Sequence, residues 1–219
     1  MTNPLKLKVC GLGDLNQIET LIPMGVDFLG FIFYPKSPRY VLNFLSETDV
    51  RNINHPAKVG VFVNESIAHL QQIVPNFGLD YLQLHGDEDL AYVLQLKQAL
   101  PQSKIIKVFR ISAQNQNDLQ ATIALYDGLV DLFLFDTDAQ SYGGTGHSFD
   151  WRVLNNYQFN TDFMLSGGVS ADNLQDINII QKKVFALDIN SKFERAPADK
   201  NTQQIKEFKE LLISNHIHE

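Results

Sequence analysis

Cysteine is nearly absent from this sequence, and long apolar runs are missing altogether. The single cysteine, Cys10, cannot form an internal disulfide, so a reducing, cytoplasmic setting is the simplest one. No apolar stretch approaches the roughly 20 residues that a membrane-spanning helix needs. The first residues, MTNPLKLKVCG, lack the apolar core and the cleavage site of a signal peptide. We therefore expect a soluble, cytoplasmic protein with no membrane partner.

Positive charge and metal-binding motifs are also scarce. The chain has 18 lysines and arginines against 25 aspartates and glutamates, a formal net charge of -7. This balance argues against a nucleic-acid partner, and an anionic substrate would require a local basic site. The six histidines form no HExxH pattern, and His216 and His218 fall on the C-terminal tail. We therefore predict no metal site.

Eight short apolar runs recur along the chain. Most are continuous rather than alternating and are rich in Val, Ile, Leu and Phe, which is typical of strands buried on both faces of a parallel sheet. The predicted strands span residues 6–10, 28–33, 58–63, 80–84, 105–109, 130–136, 162–165 and 184–189.

Segments with helical spacing separate these strands. A helix after the sixth strand is expected to be short and late, near residues 150–154, and another begins with a capping serine at Ser170. The other clear helices cover residues 14–22, 66–74, 88–100 and 202–213.

Strand and helix alternate in units of about 25 to 30 residues, the length expected of a (β/α)8 barrel. The sequence therefore predicts an α/β fold, a single TIM barrel over residues 1–219. An open doubly wound sheet is the alternative architecture. Its GxGxxG fingerprint is incomplete here, because only Gly11 and Gly13 follow the first strand.

Two of the predicted strands end in groups that transfer protons. Cys10 ends the first strand and is followed by Gly11, which permits a sharp turn; its thiol is a plausible general base once its pKa is slightly lowered. The other interpretation of Cys10 is a small buried hydrophobe. Asp136 ends the sixth strand after four apolar residues, where burial would raise its pKa and favour a general acid over a structural acceptor.

Other strand ends carry groups suited to anions. The segment 166–170, Ser-Gly-Gly-Val-Ser, offers free backbone N–H groups before a helix, and residues 188–192 follow the eighth strand, where such barrels commonly bind phosphate. Two interpretations of Arg39 stay open: its guanidinium binds a carboxylate, or it is a surface residue. The sequence leaves open whether Lys107 and Arg110 face the pocket.

Taken together, the chain resembles the phosphoribosylanthranilate isomerase family. The matching segments run nearly end to end and in order: KVCG at 8–11, GVDFLGFIFYPKSPRYV at 25–41, VGVFVNE at 59–65, QLHGDE at 83–88, LFDTDAQSYGGTGHSFDW at 134–151, LSGGVSADN at 165–173 and ALDINSKFERAPADKN at 186–201. The resemblance implies a single-domain barrel that performs an Amadori rearrangement in tryptophan biosynthesis with neither metal nor organic cofactor.

The resemblance also implies roles for individual residues. Cys10 would be the general base and Asp136 the general acid, Arg39 would hold the anthranilate carboxylate, and His85 and Asp188 would line the pocket. The phosphate of this small substrate would be bound by the backbones of Gly167, Gly168, Asn190 and Ser191.

Three positions depart from the family pattern. The family commonly has a polar residue where this chain has Gly13. The usual Ser-Ser-Gly after strand eight is Asn190-Ser191-Lys192 here, so that Lys192 adds a positive charge near the phosphate. A Pro-Gly pair downstream has become Pro197-Ala198.

Alternative functions stay open on the residues alone. A sugar-phosphate isomerase of histidine biosynthesis would use a pair of aspartates, one of them at the position of Cys10. A pentose-phosphate epimerase would need clustered His and Asp ligands, and a non-catalytic barrel would bind a phosphorylated metabolite without needing Cys10 and Asp136. The sequence is compatible with a monomer or a homodimer.

Overall fold

Eight parallel strands close into a barrel in this computed structural model, which describes residues 5–112, 118–137 and 149–214. Sequential strands pair with each other, and β8 returns to pair with β1. The predicted TIM barrel is confirmed, and the open-sheet alternative is wrong. The strands are β1 (Lys6–Val9), β2 (Phe28–Ile32), β3 (Lys58–Phe62), β4 (Tyr81–Leu84), β5 (Lys104–Ile111), β6 (Leu132–Thr137), β7 (Phe163–Leu165) and β8 (Ala186–Ile189).

Helices follow the strands on the outside of the barrel. Side-chain caps begin several of them: Asp14 accepts from the Gln17 N–H, Ser46 from the Asp49 N–H, Ser66 from the His69 N–H and Asp89 from the Tyr92 N–H. The α-helices are α1 (Leu15–Leu21), α2 (Glu47–Asn52), α3 (Ile67–Phe77), α4 (Leu90–Ala99), α5 (Leu119–Tyr126) and α6 (Thr202–Ser214). No helix in the described part of the chain is long and apolar enough to cross a bilayer.

The last third of the barrel departs from regular α-helix. The segments after β6 and β7 are 3₁₀ helices, Trp151–Asn156 and Ala171–Ile179. The first is the short, late helix predicted from the sequence, and the second begins at Ser170 as predicted, with a capping box to Asn173. The sequence did not predict the 3₁₀ turn Ser191–Phe193 or the small hairpin of β9 (Glu194–Ala196) and β10 (Asp199–Lys200).

Both faces of the barrel strands are buried, which explains their continuous apolar runs. An inner cluster fills the barrel and includes Leu132, Leu134, Ile106 and Met164. A larger outer cluster packs strands against helices. Side chains alternate along a strand, so Asp136 points inward like Leu132 and Leu134, and Asp188 points inward like Ala186. The fold thereby places both carboxylates over the C-terminal end of the barrel core.

Candidate active site

One pocket at the C-terminal end of the barrel gathers the residues predicted from the sequence. Its walls come from the ends of strands that are far apart in sequence, as expected of a TIM-barrel site. Lys192 and Gln83 also contribute to this wall. The predicted site residues that line it are Cys10, Arg39, His85, Asp136, Gly167, Gly168, Asp188, Asn190 and Ser191.

A buried ion pair forms the floor below Cys10. Lys8 on β1 is fully buried, and its Nζ lies 2.8 Å from Oδ1 of Asp188 on the neighbouring strand β8. Burial lowers the pKa of Lys8, but the charge of Asp188 and its hydrogen bond with Lys8 act in the opposite direction, and the net pKa lies above its usual value. Lys8 is therefore a fixed positive charge beneath the thiol.

The Cys10 thiol responds to burial more than to Lys8. Burial raises the pKa of Cys10, Lys8 and Lys200 oppose that change, and Asp188 adds to it. The net direction is upward, so the slight lowering that would make the thiol a ready general base is not met in the protein alone. In the protein alone Cys10 is a protonated thiol at neutral pH.

Asp136 keeps part of its protonated form near neutral pH. Burial raises its pKa to about 7, with a further upward contribution from Asp188. A hydrogen bond of 2.8 Å from the Thr137 N–H to Oδ1 acts in the opposite direction and holds the carboxyl in place. This agrees with the proton-carrying carboxyl predicted for the end of the sixth strand.

Gly167 allows Asp136 to occupy this position. Its φ of +79° lies in the left-handed region, and a Cβ at Gly167 would come within 2.4 Å of Thr137 Oγ1 and 3.0 Å of Asp136 Oδ1. Gly167, which the sequence suggested for phosphate binding, thus also leaves space for the Asp136 carboxyl.

His85 contacts the acid from the opposite wall. Its Nε2 lies 3.6 Å from Asp136 Oδ2, and its Nδ1 lies 3.3 Å from the side-chain nitrogen of Gln83. Burial and the positive charges of Lys8, Arg110 and Lys107 lower the pKa of His85 to about 3. His85 is therefore a neutral imidazole at physiological pH.

Arg39 is oriented by a second buried network. Its guanidinium donates from Nε and Nη2 to Glu194, and Lys200 donates to Glu194 Oε2 at 2.8 Å and to Asn190 Oδ1 at 2.6 Å. Burial would raise the pKa of Glu194, but hydrogen bonds from Arg39 and Lys200 outweigh it and lower the pKa. The loop after β8 is thereby tied to the predicted carboxylate-binding arginine.

The structure shows whether Lys107 and Arg110 face the pocket, which the sequence left open. Lys107 is buried and pairs with Glu88 at 3.3 Å, and Arg110 donates to Asp87. Both are held by the loop after β4, outside the pocket wall. The GGTG segment at 143–146 and the two C-terminal histidines, His216 and His218, lie outside the described residues.

The sequence did not predict four residues of the site: Lys8, Gln83, Glu194 and Lys200. The available signal was a polar side chain inside a buried run, as with Lys8 between Leu7 and Val9. Within the described ranges, no three His, Cys, Asp or Glu side chains are grouped so as to hold a metal ion.

An inward carboxylic acid, a thiol and glycine-rich strand ends in one TIM-barrel pocket define an acid/base enzyme for a small phosphorylated substrate. The family model of N-(5'-phosphoribosyl)anthranilate isomerase matches residues 7–210. The chain therefore belongs to the N-(5'-phosphoribosyl)anthranilate isomerase family.

Individual relatives agree over nearly the whole chain. The N-(5'-phosphoribosyl)anthranilate isomerase of Parabacteroides distasonis is 37% identical, covering 94% of this chain and 93% of its own. Monomers of the dimeric enzyme from Thermotoga maritima superpose with a TM-score of 0.77 at 27% identity, over 96% of this chain and 99% of that one. A further isomerase, crystallised with reduced 1-(o-carboxyphenylamino)-1-deoxyribulose 5-phosphate, gives a TM-score of 0.76 at 28% identity, over the same shares.

The activity predicted from the sequence is confirmed by this membership. The chain is an aldose–ketose isomerase that converts N-(5-phosphoribosyl)anthranilate to 1-(2-carboxyphenylamino)-1-deoxyribulose 5-phosphate, a step of tryptophan biosynthesis.

Proposed function

We propose that this pocket isomerises its substrate by an Amadori rearrangement in which Asp136 is the general acid and Cys10 the general base. The observation that carries the assignment is the pKa of Asp136, which burial raises to about 7, in the same pocket as the thiol. A carboxyl that still holds its proton near neutral pH is suited to protonate an ether oxygen.

In the first step Asp136 gives its proton to the ring oxygen of the ribose. The bond between C1 and that oxygen breaks, and the lone pair of the anilino nitrogen forms a C1=N iminium. The reaction leaves Asp136 as a carboxylate and the sugar as an open chain. The iminium draws electrons from C2, so the C2 proton becomes acidic enough for a modest base.

In the second step Cys10, having lost its thiol proton to solvent, removes the C2 proton as a thiolate. The C2–H electrons form a C1=C2 double bond, and the C=N electrons return to nitrogen. The resulting enolamine takes a proton at C1 from the Cys10 thiol and gives its C2 hydroxyl proton to the Asp136 carboxylate, which forms the ketone and restores both groups. Because burial raises the pKa of Cys10, a nearby positive charge is needed to favour the thiolate. The iminium supplies that charge beside the fixed ammonium of Lys8.

The two ends of the substrate have separate binding groups in this proposal. Arg39 holds the anthranilate carboxylate, and the backbones of Gly167, Gly168, Asn190 and Ser191 hold the phosphate, with His85 and Asp188 on the wall between. Support comes from the lining of the pocket, where all these residues meet. The relative crystallised with the reduced product carries a ligand with both a carboxylate and a phosphate.

The reaction needs neither a metal nor an organic cofactor in this mechanism, because both proton transfers use side chains of the chain itself. We further propose that the enzyme works in the cytoplasm, which the lone cysteine favours, as a monomer or a homodimer. The Thermotoga maritima relative is described as dimeric.

The test is isomerase activity, followed by the loss of anthranilate-type fluorescence, in Cys10→Ser and Asp136→Asn. Each should lower kcat by about 10² or more, the usual scale of general acid–base catalysis. Asp150→Asn is the matched control, because Asp150 is an exposed carboxylate that pairs with Arg152 outside the pocket. Unchanged turnover in Asp136→Asn would remove its role, and a wild-type protein that binds the substrate without turnover would favour a non-catalytic barrel.

A further inference from the structure

Gln83 is a buried amide that the mechanism above does not use. It lies on β4 two residues before His85, so the two side chains point to the same face. Gln83 is only 1% exposed, and its side-chain nitrogen lies 3.3 Å from His85 Nδ1. The other ring nitrogen lies 3.6 Å from Asp136 Oδ2. The three side chains form a row that ends on the acid.

We propose that Gln83 is a positioning residue that acts through His85 to set whether an N–H group or a bare nitrogen faces Asp136. Its amide N–H donates to Nδ1, which keeps the imidazole proton on Nε2, directed at the Asp136 carboxyl. The proposal rests on the role of Asp136 as the general acid.

The constraint follows from the chemistry of a neutral imidazole. Such a ring has one N–H donor and one acceptor, and the partner of one nitrogen decides the role of the other. Because Nδ1 accepts from Gln83, Nε2 must donate. A donor is required there, since Asp136 becomes a carboxylate when it protonates the substrate. A bare Nε2 would instead accept the proton that Asp136 has to deliver.

Burial and the cations around His85 keep its imidazole neutral, so Gln83 decides only which ring nitrogen carries the proton. Lys8, Lys107 and Arg110 are the cations near His85, and with burial they hold its pKa at about 3. Lys8 and Arg110 also act on Asp136, against Asp188. His85 thus stays neutral throughout the range in which Asp136 titrates.

The cost of burying Gln83 also points to a specific use of its amide. Among the described residues, Gln83 Oε1 has no hydrogen-bond partner although it is buried. An unsatisfied buried oxygen lowers the stability of the fold, and a methionine of similar length would avoid that loss. The hydrogen bond to His85 is the interaction that such a methionine would not supply.

The direct test is the tautomer of His85, read from the ¹⁵N chemical shifts of its imidazole and assigned with a His85→Asn variant. We expect the proton on Nε2 in the wild-type protein and on Nδ1 in Gln83→Glu, where a carboxylate replaces the donor. In Gln83→Glu kcat should fall at least about tenfold with KM little changed, as for other acid–base groups whose partner adopts the wrong tautomer.

Gln83→Met is the control that removes the hydrogen bond without imposing the opposite tautomer. It should show a mixture of tautomers and a smaller loss of kcat than Gln83→Glu. A wild-type spectrum with the proton on Nδ1 would overturn the proposal, and so would full activity in Gln83→Glu after the proton has moved. Full activity in Asp136→Asn would instead contradict the proposed function, so the two failures are distinguishable.

Discussion

Cys10 shows how one side chain can be held between opposing electrostatic effects. Burial disfavours the thiolate, while the ammonium groups of Lys8 and Lys200 favour it, and the balance raises the pKa. A thiol of this kind reacts slowly until a further positive charge arrives. In the proposed mechanism the iminium formed by ring opening provides that charge at the step in which Cys10 acts as the base.

The ionisation of Cys10 can be followed directly, because it is the only cysteine in the chain. We expect the rate of alkylation by iodoacetamide to rise with pH and to reach its midpoint above the ordinary thiol value of about 8.5. Mass spectrometry after timed quenching measures the rate, and Cys10→Ser should take up no label. A midpoint below the ordinary value would show that Lys8 outweighs burial.

At the level of elements, Gly13 and Ala198 share one tight space beside α1. Gly13 precedes α1, and Ala198 lies in the turn between β9 and β10 with a φ of +68°. A Cβ on Gly13 would lie 2.8 Å from the Cβ of Ala198 and 3.0 Å from Cγ of Phe44. The methyl group at Ala198 thus occupies the space that a side chain at position 13 would need.

We expect Gly13→Ala alone to destabilise the protein by about 1–3 kcal/mol, the usual cost of overpacking a tight contact. Combined with Ala198→Gly, which removes the opposing methyl group and the left-handed alanine, the same change should cost much less. Urea unfolding of the wild type, the two single variants and the double variant gives the coupling. Strictly additive free energies would show that the two positions do not interact.

For the whole molecule, the barrel was predictable where each strand carries its own signal. Continuous apolar runs identify strands buried on both faces, and the acid at the end of the sixth run is placed inside by alternation from Leu132 and Leu134. The two loops at residues 166–170 and 188–192 were predictable because strand ends meet at one face of a closed barrel. The site roles of Arg39 and His85 were predicted from the family resemblance and not from the residues alone.

Other features of the site depend on contacts between residues far apart in the sequence, so local patterns do not predict them. Lys8 is recognisable as a buried cation only once Asp188, 180 residues away, is known to lie beside it. The pKa of Cys10 is raised by burial and adjusted by charges on β1, β8 and β10, so no local pattern contains it. The hairpin of β9 and β10 is too short to leave a clear periodic signal, and with it Glu194 and Lys200 went unpredicted.

Asp136 should also lower the stability of the whole molecule as pH rises. Asp136 has a pKa of about 7 when folded, against an ordinary value of about 3.9 in the unfolded chain. The folded state therefore holds a proton that the unfolded state has released. Stability from this group is fully present below about pH 4 and is lost as pH rises through about 7.

We expect Asp136→Asn to gain stability relative to the wild type between pH 5 and pH 8, because asparagine does not titrate. The three-unit difference in pKa sets an upper limit of about 4 kcal/mol for the full window, and the part above pH 5 is smaller. Urea unfolding at several pH values measures the difference in free energy of unfolding between the two proteins. The change of that difference with pH is the readout, so any constant effect of the substitution cancels. Asp150→Asn should give a flat difference, since the hydrogen bonds from Arg152 lower the pKa of exposed Asp150. A flat difference for Asp136→Asn as well would mean that its carboxyl is ionised in the folded protein, which would leave the enzyme without its proposed acid.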